Sequence, residues 1–183
     1  SGKADWAHPH LEMLRVDMTQ PESIKDALPR LAERPISVLV NNAGVVLDDR
    51  SDPAVSLPVL RKAFDINVFG LVEVSEACVP QLQRGGHVVN ISSNWGTFSD
   101  HVFDAYCPQY KMSKAALNML IRNLAIEFAT RNPSGIVAGL HPGTVDTDLS
   151  RPFQRGVSAD RLFSPEQSAA RLLDVLDGLS PAQ

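Results

Sequence analysis

The sequence predicts an α/β protein whose parallel sheet is covered by helices on both faces, and two features of the chain predict it. First, short apolar stretches rich in β-branched residues alternate with longer stretches of helical period. Strands that are apolar on both faces are typical of buried parallel sheets. Second, the short stretches end in polar or glycine residues, at the sheet edge where ligands bind in such folds. The expected fold class is therefore a Rossmann-like, doubly wound parallel sheet in three αβα layers.

Four apolar stretches are predicted as strands, and each ends in residues suited to contact a ligand. Because the carboxyl ends of parallel strands meet at one edge, four separate segments should point into one crevice. The predicted strands are Leu11–Asp17, Pro35–Gly44, His87–Ser93 and Gly135–Gly143. The polar residues at their ends are Asp17, Asn41 with Asn42, Ser92 with Ser93, and His141 with Pro142 and Gly143.

Four further stretches have helical period and are predicted as helices. The last has the clearest start, because Ser164 is suited to cap a helix and Pro165 to occupy its first turn. The predicted helical stretches are residues 21–34, 57–84, 110–131 and 164–179.

Composition narrows the function classes. The chain has 183 residues, enough for one domain with a sizeable core. Its formal charge of −4 gives no electrostatic footprint for nucleic acid or an anionic membrane. No apolar run approaches the roughly 20 residues of a membrane span. Two cysteines, Cys78 and Cys107, make neither a disulfide framework nor a metal cluster, so we expect buried thiols, no metal and a cytoplasmic location.

The stretch YKMSK, from Tyr110 to Lys114, allows two interpretations. On one helix face, an ammonium near a phenol lowers the phenol pKa and makes it a usable acid or base, with Ser93 nearby to hold a substrate oxygen. Alternatively, KMSK resembles a nucleotide-binding loop of class I aminoacyl-tRNA synthetases. That loop must be mobile, whereas this stretch runs into a good helix, and the companion His-x-Gly-His is absent. Taken alone, a tyrosine and a lysine at this spacing also occur by chance.

Five motifs in order decide between these interpretations: VLVNNAG, FDINVFG, VVNISS, YKMSK and LHPGTVDT. Together they resemble the short-chain dehydrogenase/reductase family, over nearly the whole chain from Asp17 to Leu179. Within it, the sequence looks most like the C-factor and sniffer-type reductases. The resemblance implies one NAD(P)-binding domain over residues 1–183 and an oxidoreductase that interconverts a carbonyl and a secondary alcohol by hydride transfer, with NAD or NADP as cofactor.

The resemblance also implies roles for four catalytic residues. Tyr110 would be the general acid or base, and Ser93 would orient the substrate oxygen. Lys114 would bind the nicotinamide ribose and depress the pKa of Tyr110. Asn67 would hold a water that links Lys114 to solvent, although a polar residue inside a helix can also simply bond a backbone carbonyl.

Cofactor contacts follow from the same resemblance. Asp17 and the Met18 backbone would meet the adenine, although Asp17 or Thr19 could instead cap the next helix. Asn41 is expected to tie neighbouring strands together, and His141 is given no catalytic role. The implied cofactor-binding residues are Asp17, Met18, Asn42, Ala43, Gly44, Tyr110, Lys114, Pro142, Gly143, Val145 and Thr147.

The loop before Tyr110 departs from the family pattern. Ser93 and Tyr110 are 17 positions apart, longer than the usual spacing. Tyr106 has the common spacing, but position 110 is then tyrosine where the motif needs lysine, so the motif selects Tyr110. The aromatic residues available to line an apolar substrate pocket, or merely to pack the loop, are Trp95, Phe98, Phe103 and Tyr106.

A second departure lies at the start. The family's first two strands and the glycine-rich TGxxxGxG turn are missing from the sequence, so we expect the polypeptide to begin before residue 1 and a final strand to be missing after LDGLSPAQ. The choice between NAD and NADP is read mainly in that missing segment.

Alternatives to an oxidoreductase are a non-catalytic dinucleotide-binding or signalling protein and another reaction, such as epimerisation or dehydration, on the same scaffold. The stretches Leu71–Leu82 and Ala115–Ala129 are apolar on more than one face, which the resemblance links to a homodimer or homotetramer. The second face could instead only cover the sheet.

Overall fold

A parallel three-stranded sheet organises the computed structural model, which describes residues 9–27, 34–48, 54–98 and 105–179. Its strands are adjacent in chain order and parallel throughout: β1 (Ile36–Asn41), β2 (Leu82–Ile91) and β3 (Val137–Leu140). A smaller parallel pair, β4 (Thr144–Val145) and β5 (Leu162–Phe163), follows β3. Parallel neighbours need crossover connections, and the helices supply them. The predicted α/β class is confirmed.

The helices occupy the predicted stretches, with one correction. The stretch 57–84 divides into helices joined by a π-helical turn, and its last three residues belong to β2. A short turn that contains Pro80 ends the helical part, because proline has no N–H to continue the hydrogen bonding. The helical segments are α1 (Pro21–Ala27), α2 (Leu57–Phe64), the π-helical turn Asp65–Phe69, α3 (Gly70–Cys78), α4 (Pro108–Arg131) and α5 (Pro165–Gly178).

The predicted strand Leu11–Asp17 is wrong, because this segment has no regular secondary structure. A strand exists only where a neighbour satisfies its N–H and C=O groups. Within the part of the chain that the structure describes, no strand lies beside these residues. Their apolar side chains consequently remain accessible, and Met13 is 64% exposed.

Helix α5 starts as predicted. The Ser164 hydroxyl accepts a hydrogen bond from the Gln167 N–H at 3.2 Å, and the Gln167 side chain accepts one from the Ser164 N–H at 2.9 Å. This reciprocal capping box satisfies two donors that a helix start otherwise leaves open, and Pro165 occupies the first turn.

Buried amides tie β1 to β2, as expected for Asn41. Its Nδ2 donates to the Asn90 side-chain oxygen at 2.9 Å and to the Ser75 hydroxyl at 3.0 Å. Asn90 is 1% exposed, so its oxygen has no access to solvent. Both cysteines are buried thiols outside any disulfide, as expected. No helix of the described chain is long and apolar enough to cross a membrane, and no three metal-binding side chains cluster among those residues.

We predict that Asn41→Ala lowers the free energy of unfolding by about 2 kcal/mol, because it leaves the buried Asn90 oxygen without its donor. Urea denaturation followed by circular dichroism measures the change. The exposed neighbour Asn42 is the matched control, and Asn42→Ala should stay within about 0.5 kcal/mol of the wild type. Equal effects of the two substitutions would contradict the interpretation.

Candidate active site

Two adjoining cavities open at the carboxyl edge of the sheet and share one wall. We name them cavity A, of about 460 Å³, and cavity B, of about 490 Å³. Cavity A extends towards the end of β1 and helix α5, and cavity B extends towards β5 and the segment after β4. The residues of the shared wall are Ser93, Tyr110, His141, Gly143, Leu149 and Ser150.

Tyr110 stands in this wall, on the first turn of α4, and Ser93 lies in the same wall. Desolvation is the largest influence on the pKa of Tyr110, which lies above the usual value for tyrosine, while the Ser93 side chain acts in the opposite direction. The phenol is therefore fully protonated at neutral pH. Lys114 is not among the influences on this pKa, so its expected depression by Lys114 stays a prediction.

The Lys114 ammonium is directed to the sheet. The side chain is buried, and its Nζ donates a hydrogen bond to the Ile91 carbonyl at the end of β2, at 2.9 Å. The same Nζ lies 5.8 Å from the centroid of the Tyr110 ring. Burial disfavours the charged form and lowers the Lys114 pKa to about 8. Lysine and tyrosine thus share a helix face as predicted, but burial shifts both groups towards their neutral forms.

The first turn of α4 is capped from a distant loop. Cys107, at the N-cap position, has a φ of 53° and its side chain caps nothing. Instead, the Asp48 carboxylate accepts hydrogen bonds from the N–H groups of Gln109, at 2.9 Å, and Tyr110, at 3.1 Å. A carboxylate also suits the positive end of the helix dipole. Sequence reasoning missed Asp48, because a cap so far away leaves no local signal.

Asn118 holds the segment around Ser93 against α4. Its Oδ1 accepts a hydrogen bond from the Ser92 hydroxyl at 2.5 Å, and its Nδ2 donates to the Gly96 carbonyl at 3.1 Å. Gly96 passes so close to the helix that an added Cβ would lie 2.5 Å from the Lys114 carbonyl carbon. Residues before and after Ser93 are thus bonded to α4, which fixes Ser93 beside this helix.

Asn67 lies in the π-helical turn and is fully buried. Its Oδ1 accepts from the Val45 N–H at 2.8 Å, and its Nδ2 donates to the Val45 carbonyl at 2.9 Å and to the Ser113 hydroxyl at 3.0 Å. The side chain therefore links the loop after β1 to α4, which is the structural alternative weighed for it. One acceptor position of its Oδ1 remains.

Cavity A brings together most of the predicted cofactor residues. Three others do not line it: Ala43 is exposed, Asp17 accepts from the Thr19 N–H at 2.9 Å, and Met18 packs its backbone against Gly70. The Asp17 carboxylate thus closes a local turn ahead of α1 and does not cap that helix, and its contact with adenine stays a prediction. The predicted residues that line cavity A are Asn42, Gly44, Ser93, Tyr110, Lys114, Pro142, Gly143, Val145 and Thr147.

The turn after β3 is held in one shape. Gly143 has a φ of +77°, which favours glycine, and an added Cβ would lie 2.5 Å from the Phe163 ring. The buried Ser168 hydroxyl of α5 donates to the Pro142 carbonyl at 2.8 Å. His141, which was given no role, lines both cavities, and burial lowers its pKa, so it is neutral at pH 7.

Cavity B has aromatic walls, and Trp95 is the one contributor among the predicted aromatics that the structure describes. Trp95 lies edge-on to Tyr110, with ring centroids 6.1 Å apart, and to Phe153, at 5.6 Å. Phe98 is fully exposed and Tyr106 is half-exposed, and neither lines the cavity. Phe103 lies outside the described residues. Phe153 and Phe163, which follow the last family motif, were missed.

Comparisons with known proteins agree on one family. The family model for short chain dehydrogenase matches residues 3–157. C-signal of Myxococcus xanthus is 34% identical over 155 residues, which cover 80% of this chain and 84% of that protein. The 1-hydroxy-2-glutathionyl-2-methyl-3-butene dehydrogenase of Rhodococcus sp. (strain AD45) is 32% identical over 168 residues, which cover 91% of this chain and 71% of that protein.

A solved structure shares the fold. The crystal structure of NADPH-bound carbonyl reductase from chicken fatty liver superposes with a TM-score of 0.84 at 27% identity. The match covers 96% of this chain and 70% of that one.

We predict that Asp48→Ala lowers the free energy of unfolding by about 1 kcal/mol, the usual effect of removing a helix cap. Amide hydrogen exchange at Gln109 and Tyr110 should accelerate more than exchange in the middle of α4. Asp48→Asn keeps one acceptor oxygen, so its exchange rates at these amides should lie between those of the wild type and those of Asp48→Ala. Asp26, an exposed aspartate of α1, is the control. If Asp48→Ala and Asp26→Ala exchange alike at these amides, the distant cap has no effect.

We also predict a pH dependence from Lys114. Its amine releases its proton near pH 8 in the folded chain, whereas an unfolded lysine keeps it until about 10.5. The unfolded state then binds more protons, so this group raises the free energy of unfolding as pH rises from about 8 to 10. Lys114→Met should remove that rise.

The free energy of unfolding of the wild type minus that of Lys114→Met, taken at each pH, isolates the effect of Lys114. Other groups that act in the opposite direction cancel in this difference, such as Cys78, whose pKa is raised by burial. Above pH 10 the raised pKa of Tyr110 acts in the opposite direction as well. The exposed Lys62 of α2 is the control, and Lys62→Met should leave the profile unchanged. A wild-type and Lys114→Met difference that is flat with pH would contradict the burial argument.

Proposed function

The chain belongs to the short chain dehydrogenase family, a family of oxidoreductases, and on that premise we propose that it interconverts a carbonyl and a secondary alcohol with Tyr110 as general acid or base. The observation that carries the proposal is that the Ser93 and Tyr110 side chains lie together in the wall that the two cavities share. A carbonyl oxygen at that wall can accept a hydrogen bond from each hydroxyl.

A protonated phenol suits the reducing direction. Because desolvation raises its pKa, Tyr110 holds its proton at neutral pH and can donate it to the carbonyl oxygen as negative charge develops there. The Ser93 hydroxyl holds the same oxygen. Asp48, through the Tyr110 amide, and Asn118, through the residues around Ser93, keep the two hydroxyls in position. In the oxidising direction, Tyr110 must first lose its proton, and the same burial opposes that loss.

NAD or NADP is the proposed cofactor and supplies or accepts the hydride when bound. The NADPH bound in the crystal structure of the chicken reductase supports this choice. The chain itself supports it through the open approach at Gly44, the glycine-dependent turn at Gly143, and the position of both in cavity A. Asn42, Val145 and Thr147 would complete the contact. For Ala43, and for Asp17 and Met18 at the adenine end, the role stays a prediction.

Lys114 and Asn67 are proposed to move and hold protons behind the phenol. A Cβ placed on Gly44 would lie 3.6 Å from the Lys114 Nζ and 3.5 Å from the Asn67 Oδ1, so both atoms face the space that a side chain would fill. A water there can use the remaining acceptor position of Asn67 and a proton of Lys114. Lys114 would bind the ribose hydroxyls with its other protons.

Wider predictions accompany the enzyme proposal. The exposed apolar residues Met119 and Ile126 of α4 support the proposed homodimer or homotetramer. The single domain over residues 1–183, the cytoplasmic location and the C-factor and sniffer-type subgroup stay predictions. The substrate is proposed to be a small molecule, with neither nucleic acid nor membrane as a partner.

A non-catalytic signalling protein is the alternative, and the name C-signal of one relative favours it. The complete set of Asn67, Ser93, Tyr110 and Lys114 favours the enzyme, because a signalling role gives no reason to keep a buried amine behind a paired phenol.

We predict that Tyr110→Phe lowers the rate of NAD(P)H oxidation by a panel of carbonyl compounds about 100-fold or more, because it removes the proton donor. Cofactor affinity, measured by calorimetry, should change little. Tyr106→Phe is the matched control, and it should keep the wild-type rate. A wild-type chain that binds cofactor and reduces no carbonyl compound would support the signalling alternative, and an active Tyr110→Phe variant would remove Tyr110 from the mechanism.

A further inference from the structure

Arg161 is the one cationic side chain among the described residues that line cavity B, and none of those residues is an aspartate or a glutamate. Within the described ranges, the Arg161 guanidinium forms no direct ion pair. Arg151 provides the contrast, because it pairs with Asp148 at 2.7 Å.

Two aspartates are the carboxylates to consider beside this cavity. Ser158 lowers the pKa of Asp160 most, and the charge of Arg161 lowers it to a smaller extent. Asp146 accepts a hydrogen bond from the Gln154 side chain at 3.0 Å. Neither lines cavity B. The guanidinium is consequently available to a ligand that enters the cavity.

Two cations pack on the aromatic side chains of cavity B. The Arg171 guanidinium stacks on the Phe163 ring, 4.1 Å from its centroid, and the Lys111 ammonium lies 5.3 Å from the centroid of the Trp95 ring. Each cation uses the negative face of a ring. Cavity B thus combines apolar aromatic surface with the Arg161 guanidinium, and none of its described lining residues is a carboxylate.

Tyr110 and Arg161 line the same cavity of about 490 Å³. A single small molecule can therefore contact both, with its carbonyl at the phenol and its charge at the guanidinium. Phe153, Phe163 and Trp95 would pack against the part between them. A guanidinium binds a carboxylate through two parallel hydrogen bonds, which fixes orientation as well as adding affinity.

Resting on the proposed function, we infer that the substrate is an apolar, aromatic-type carbonyl compound that carries a carboxylate, and that Arg161 binds this carboxylate in cavity B. Arg161 is then a specificity residue for the anionic end of the substrate. The cofactor lies in cavity A and does not depend on Arg161.

The test compares an aromatic keto acid with its methyl ester, using NADPH and NADH. Arg161→Gln should lower kcat/KM for the acid about 10-fold to 100-fold, mainly by raising KM, and should leave the ester unchanged. Arg161→Lys keeps the charge but not the paired geometry, so it should recover part of the loss. The exposed Arg155, which lines neither cavity, is the matched control, and Arg155→Gln should resemble the wild type.

Three results would overturn the inference. The acid and the ester could lose activity equally, which would assign Arg161 a structural role. The affinity for NADPH could fall instead, which would place a cofactor phosphate at Arg161. Alternatively, the wild type could prefer the ester to the acid, which would mean that no anion is recognised.

A binding measurement separates this inference from the proposed reaction. Trp6 and Trp95 are the two tryptophans of the chain, so a Trp6→Phe background leaves Trp95, in the wall of cavity B, as the reporter. Quenching by the acid but not by the ester, lost in Arg161→Gln, supports the inference even if no carbonyl is reduced. Turnover of the ester and the acid with equal KM supports the reaction and overturns the inference.

Discussion

The contact between the first three turns of α4 and the carboxyl edge of the sheet is the constraint on which the site depends. Three ties from different segments make this contact. Asp48, after β1, holds the amide of Tyr110. The Lys114 amine reaches the last carbonyl of β2, and Asn118 holds both sides of Ser93. Because each tie uses a buried or partly buried polar group, its loss leaves a partner unsatisfied, which makes the arrangement specific.

Burial also decides the charge state of the site. In water a lysine ammonium beside a phenol would favour phenolate, but the protein around these groups disfavours both charged forms. The Lys114 pKa falls to about 8 and that of Tyr110 rises, so the amine, and not the phenol, is the first of the two to lose its proton as pH rises. Desolvation is therefore the dominant influence on both groups.

The sequence predicted those parts of the structure that local sequence patterns determine. The start of α5 follows from a serine, a proline and a glutamine within four residues, and β2 and β3 follow from apolar runs. Leu11–Asp17 has the same apolar signal and forms no strand, because a strand also needs a partner that local sequence does not specify. Asp48 and Phe163 escaped prediction for the same reason, since each acts on a residue far along the chain.

The two cavities are mechanically connected through the turn at Gly143. The Phe163 ring, which lines cavity B, packs in the space that a side chain on Gly143 would occupy. Gly143 also lines cavity A, so the two cavities share a rigidly packed contact. Helix α5 holds this contact from behind, through Ser168 on the Pro142 carbonyl and Arg171 on the Phe163 ring. A ligand that orders either cavity therefore orders the same turn. We therefore expect each of the two ligands, cofactor and substrate, to raise the affinity for the other. The second ligand to bind meets a turn that the first has already ordered.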